Sequence, residues 1–262
     1  MKRRVLKSLL CVLLFIATLS RTSIAIPYDA ERGVPFGKLD TMNMARNVVA
    51  RQVYGSVTED GFKKIKTPSE IQRMLKEFLF ECCPNPSEKN CGRKEALDSL
   101  ISRYEDESDE SRSRVCDVSQ ELANHIGSVY LEIFQNWYGG DDELQITSIY
   151  GIRSYHSDAT LQMHVDRPKT HVVSAILNVA QDLDEDWPLL IHDFDYTLHN
   201  ITMAPGESIL YESMALTHGR PYVLRGRYYS NIFIHSVRCV HCRALRQSLH
   251  TSNIYKRHQK TG

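Results

Sequence analysis

The chain has 262 residues, with 32 Lys and Arg against 32 Asp and Glu and a formal net charge of zero, so no global field draws it to nucleic acid. Its length suits one domain, or one domain with a small lobe, and is enough to bury a proper core. Beyond the N-terminal leader no segment is long and apolar enough to span a bilayer.

The first 25 residues, MKRRVLKSLLCVLLFIATLSRTSIA, run from a basic start (Lys2, Arg3, Arg4) through an apolar stretch to small residues at Ser23 and Ala25. That order is a secretory signal peptide with cleavage expected after Ala25. A membrane attachment follows only if the leader stays on as an anchor. The expected compartment is therefore the secretory pathway, meaning the endoplasmic reticulum lumen or the secreted state. Of seven cysteines, Cys11 falls in the leader, leaving Cys82, Cys83, Cys91, Cys116, Cys239 and Cys242. An even number in a secreted chain favours disulfides, and the first four flank helices of one lobe and are expected to be oxidised. Cys239-Val-His-Cys242 also has the spacing of half a zinc site, without an evident other half. Asn200-Ile201-Thr202 is a glycosylation sequon.

From residue 26 to 142 the chain reads as helical support. Thr67-Pro68-Ser69-Glu70 predicts a capping box with proline at the first helical position, and IQRMLKEFLFECC has helical apolar spacing after it. RKEALDSLISRY is expected to be helical as well. The segment RYEDESDESRSR, dense in charge and poor in apolar residues, reads as an exposed loop. DVSQELANHIGSVYLEIFQNWY predicts a second long helix that stops at Gly139-Gly140.

From 143 to 237 the pattern changes to short runs rich in Val, Ile, Thr and Tyr: LQITSIYGIRSY, HVVSAILNVA, LLIHDF, YTLHNITM, ESILYE and RYYSNIFIHSV. Turn signals such as Ala204-Pro205-Gly206 separate them. Several short strands at this spacing indicate a β-sandwich or small barrel. The fold class is therefore α+β, a β core carried on an N-terminal helical support. Residues 238–262 form a basic tail with no acidic residue.

Two His-x-Asp pairs occur, His156-Ser157-Asp158 and His164-Val165-Asp166. Such a pair alone is weak, because a chain this rich in both residues produces about one by chance. A third ligand changes its weight: two histidines and one carboxylate on one face of Fe(II) leave the other face open. His218, far along the chain near the last strand, can supply it when the sheet rolls up. Arg227 follows nine residues after His218 at the head of that strand. An inward cation in a barrel needs an anionic partner, which a dicarboxylate cosubstrate would provide.

MHVD followed by THGRPYVLRGRYYSNIFIH resembles the prolyl 4-hydroxylase-type branch of the iron(II)- and 2-oxoglutarate-dependent dioxygenases, over roughly Leu144 to Val237. The resemblance implies a double-stranded β-helix core of the jelly-roll or cupin kind. It implies His164, Asp166 and His218 as catalytic iron ligands, with Fe(II), 2-oxoglutarate and O2 as the cofactor set and ascorbate as reductant. It places Arg227, with Tyr155 nine positions before His164, on 2-oxoglutarate. Should Arg227 not serve, Arg220 or Arg225 are the next candidates. His235 matches a position that touches substrate. His171 stands where the family members acting on collagen-like chains carry an arginine, and Glu185 to Ile191 lacks their paired glycines. The implied reaction is hydroxylation of a peptidyl residue, with proline foremost and a peptide or protein as partner. A small molecule or free amino acid as substrate, or a non-catalytic barrel that binds a peptide or glycan, are the competing readings.

Overall fold

The computed structural model describes residues 58–94, 113–138, 143–167 and 169–239. The leader, most of the charged segment, all but the first two residues of the expected helix RKEALDSLISRY and most of the basic tail lie outside the described residues; Arg93 and Lys94, at the start of that expected helix, form a strand instead.

In chain order the elements are β1 (Phe62–Lys66), α1 (Ser69–Cys82), β2 (Arg93–Lys94), β3 (Ser113–Cys116), α2 (Gln120–Tyr138), β4 (Leu144–His156), β5 (Leu161–His164), β6 (Val173–Leu183), β7 (Leu189–His192), β8 (Leu198–Ile201), β9 (Glu207–Tyr211), β10 (His218–Arg220) and β11 (Gly226–Arg238). They build a seven-stranded sheet in the order β1-β9-β6-β11-β4-β3-β2 and a four-stranded sheet in the order β5-β10-β7-β8. Every strand pairing is antiparallel. From β4 through β11 the chain passes back and forth between the two sheets, with β7 and β8 as a hairpin within the smaller one, which makes the core a double-stranded β-helix with helices on the larger sheet.

The helices form for the reason their spacing gives. In α1, Ile71, Leu75 and Leu79 recur every four residues and are buried; in α2, Ile126, Tyr130 and Phe134 do the same. The start of α1 differs from expectation. Pro68 is its N-cap and no side chain caps it. The Thr67 hydroxyl is buried instead against Ser208 Oγ at 2.6 Å, and Tyr130 shares that serine at 2.8 Å. A hydroxyl used to tie the helix entry to β9 is lost to the cap. Residues 26–142 are not helical support alone. β1 extends the large sheet along β9, and β3 pairs with β4, carrying β2 outside it. Disulfides Cys82–Cys116 and Cys83–Cys91 fasten the end of α1 to β3 and to the connection after it. Cys239 is disulfide-bonded too, which removes it as a zinc ligand.

β5 and β10, four and three residues long, are two strands of the core that sequence patterning does not announce. They pair with each other, His218 opposite His164. Gly219 makes that approach possible, since a Cβ there would lie 2.7 Å from the Gln162 carbonyl oxygen and 2.9 Å from that of Leu161.

Candidate metal centre

His164 ends β5, Asp166 lies just beyond it, and His218 starts β10. The ligand atoms of these three side chains all lie within 4.8 Å of one another. The two imidazoles are 4.4 Å apart between ring centres, and His164 Nε2 is 3.7 Å from Asp166 Oδ1. Each histidine is steered by its own strand. His164 Nδ1 is 2.7 Å from the Gln162 carbonyl and His218 Nδ1 is 2.8 Å from the Leu216 carbonyl. A carbonyl can only accept, so each ring carries its proton on Nδ1 and presents the Nε2 lone pair, the arrangement metal-bound histidines use. The Asp166 amide donates to the Ser213 carbonyl at 2.9 Å and fixes the backbone beside the carboxylate. Burial pushes the His218 pKa down to about 4, with a further push from His171 against the opposing Leu216 hydrogen bond. It is therefore neutral near pH 7 and able to ligate. The donor set fits a divalent transition ion with open positions.

Buried aromatic rings and a buried cation lie beside this centre. Tyr211 on β9 packs edge-on against His218, 4.7 Å between ring centres. Burial, and then the nearby Asp166 charge, raise its phenol well above the usual range, so it stays protonated. Further in, Tyr155, Trp187 and Tyr229 enclose Arg220, which is 1% exposed. The Arg220 guanidinium lies over Trp187 at 4.9 Å and over Tyr229 at 4.4 Å. It donates to the Trp187 carbonyl and to Tyr229 Oη. Among the described residues no carboxylate pairs with it.

The structure brings His164, Asp166, His218, Tyr155, His235 and His171 to one region. Tyr155 sits across from Tyr229 in the β4–β11 ladder, fully buried, and accepts from Arg153 Nη1 at 3.2 Å. His235 Nδ1 is 3.9 Å from Asp166 Oδ2, and its ring is 3.8 Å from that of His171.

The structure does not bring Arg227 there. Its side chain is 56% exposed, bound to Asp182 on β6 with Asp184 at 3.9 Å. Two causes act together. A register shift falls between Gly226 and Tyr228, where Gly226 adopts φ 138°, and the β6 carboxylates lie across from it at the sheet end. The cation inside the barrel is Arg220, two residues after His218. Its only sequence signal was a basic residue alternating with a ligand histidine. The decoy pair goes elsewhere: His156 is buried at the end of β4, and Asp158 sits in a turn with positive φ, 3.5 Å from Arg225.

No protein-family model and no curated protein matches the chain. Solved structures with a similar course include a Pseudomonas putida prolyl-4-hydroxylase (14% identity, TM-score 0.49, covering 74% of this chain and 99% of that one). An oxidoreductase of the 2OG-Fe(II) oxygenase family from Burkholderia pseudomallei follows at 14% identity and TM-score 0.48, covering 75% and 90%. A Trichoplax adhaerens prolyl hydroxylase, crystallised with a hypoxia-inducible-factor peptide fragment, stands at 11% and 0.46, covering 79% and 96%.

Proposed function

We propose that this chain is an Fe(II)- and 2-oxoglutarate-dependent dioxygenase that hydroxylates a peptidyl residue, proline being the foremost target. The observation that carries the reading is the convergence of His164, Asp166 and His218 with their Nε2 and carboxylate atoms turned to one point. His164, Asp166 and His218 hold the metal. Iron with 2-oxoglutarate and oxygen supplies oxidative hydroxylation coupled to loss of carbon dioxide.

The chain's own residues do the placing. Arg220 lies on the same strand as His218, two residues and roughly 7 Å further along. Arg220 would meet the distal carboxylate of a five-carbon keto diacid held at the metal with a bidentate, charge-assisted pair. The role first expected of Arg227 passes to Arg220, with Tyr229 holding the guanidinium in place. Tyr211, held as a phenol, donates into the same pocket, and Trp187 with Tyr155 keeps water from its floor. His171 and His235 line the side of Asp166 away from Arg220, toward exposed Tyr150, where a substrate chain would enter.

The secretory compartment belongs to the same proposal. Two disulfides and the exposed side chain of Asn200 on edge strand β8 support it. The test is succinate release from 2-oxoglutarate with Fe(II) and ascorbate, with and without a proline-rich peptide. Release that rises with peptide supports the reading. Release unaffected by peptide but raised by a free amino acid moves the substrate, and no release at all removes the dioxygenase.

A further inference from the structure

A second group of ligand-type side chains meets on the other side of Asp166. Ligand atoms of Asp166, His171 and His235 also lie within 4.8 Å of one another. We infer that these three residues form a second divalent-metal site, coupled to the first through the shared Asp166 carboxylate.

The geometry gives each carboxylate oxygen its own pair of imidazoles. Asp166 Oδ1 faces His164 at 3.7 Å, and Asp166 Oδ2 faces His235 at 3.9 Å. Ligands around one transition ion, at bonds of about 2.1 Å, sit roughly 3–4 Å apart. From separations of up to 4.8 Å the side chains therefore need to close by roughly 1–2 Å. Hydroxyls hold the rings where they are. The Ser174 hydroxyl meets His235 Nδ1 at 2.7 Å and the Ser213 hydroxyl at 2.6 Å, and Thr170 Oγ1 meets His171 Nδ1 at 2.5 Å. None of these partners brings a charge; the Asp166 carboxylate lies beside the two imidazoles, and the Arg153 and Arg167 charges also reach them, which limits the affinity for a second cation. His171 is itself the telling position. An arginine there would fill the site with its own positive charge, and an imidazole leaves it open.

Two nitrogens and one carboxylate oxygen select a borderline ion such as Zn(II), Co(II) or Ni(II) over Ca(II) or Mg(II). The ion reaches the site from the side of Tyr150, which is 56% exposed and 5.9 Å from the His235 ring. Because the first ion already draws on Asp166, the second binds more weakly. The inference rests on the cluster and needs only a filled first site from the functional reading.

The test is calorimetric titration of the metal-free full chain with Zn(II), with elemental analysis of the desalted protein. Two ions per chain are expected, the second at least tenfold weaker. His171→Ala, at the rim and harmless to the core, removes the weak event and leaves the tight one. His218→Ala does the opposite, and His235→Ala repeats the His171→Ala result where it folds. One ion in the parent chain overturns the inference, as does a weak event that survives His171→Ala. A parent chain that binds two ions yet releases no succinate from 2-oxoglutarate defeats the proposed function and leaves the second site standing.

Discussion

Arg220 and Arg227 show how differently one residue type is treated inside this barrel and at its mouth. Arg227 stands in water between Asp182 and Asp184, its charge answered twice. Arg220 is buried under Trp187 and Tyr229 with a carbonyl and a phenol for partners and no described carboxylate. Burying a cation costs several kcal/mol unless an anion joins it. In the proposed function the distal carboxylate of 2-oxoglutarate would be that anion, whereas the exposed arginine already has its carboxylates at the sheet end.

The comparison breaks most completely at the metal. His164→Ala, Asp166→Ala or His218→Ala should abolish metal-dependent 2-oxoglutarate turnover, while His156→Ala and Asp158→Ala keep most of it. Succinate assays on the five variants check this, and the reverse pattern would transfer the centre to the other pair. Next in size is Gly219→Ala. Its methyl group would press on the Gln162 and Leu161 carbonyls and part β10 from β5, so metal affinity should fall tenfold or more with the fold retained by circular dichroism. Comparable in size is the arginine contrast in steady-state kinetics. Arg220→Met should raise the 2-oxoglutarate requirement by roughly one to three decades, from about 2–5 kcal/mol for a truncated buried charge pair. Arg227→Met should leave it within about twofold.

Away from the site, the contrast extends to stability against pH. Burial, followed by the Lys89 and Arg114 charges, depresses the His156 pKa to about 4. The folded value lies below the unfolded value near 6.5, so between the two the unfolded chain holds the extra proton. Stability is therefore fully present above pH 6.5 and falls as the pH drops toward 4, by on the order of 3 kcal/mol from this group. Urea unfolding across that window should show the loss, and His156→Gln should flatten it. An unchanged slope in the variant would assign the loss to other groups.

How much of this was legible in the sequence varies by element. The β-branched runs that became β4, β6, β7, β8, β9 and β11 were visible because their composition marks strands wherever they pair. β5 and β10 were not, because three or four residues cannot display a period, and both exist through pairing with each other. β1, FKKIK, hid behind three lysines that an edge strand tolerates. The charge-free logic of Thr67-Pro68-Ser69-Glu70 pointed to a cap, but Ser208 lies 141 residues away and claimed the threonine. At the site, the choice of His164, Asp166 and His218 came from a motif resemblance, and these three side chains do converge. The misplacement of Arg227 has a local cause: counting along a strand cannot see the irregular register at Gly226, which decides which side chains enter. Arg220 could be named as a fallback and no more, since only burial distinguishes it.

The most direct measurement is 2-oxoglutarate binding to the Ni(II)-loaded protein, followed by calorimetry in the parent, Arg220→Met and Arg227→Met chains. The expected result is binding in the parent that requires the metal, survives Arg227→Met unchanged and weakens at least tenfold in Arg220→Met. Equal binding in all three chains, or binding that persists without metal in His218→Ala, would contradict it.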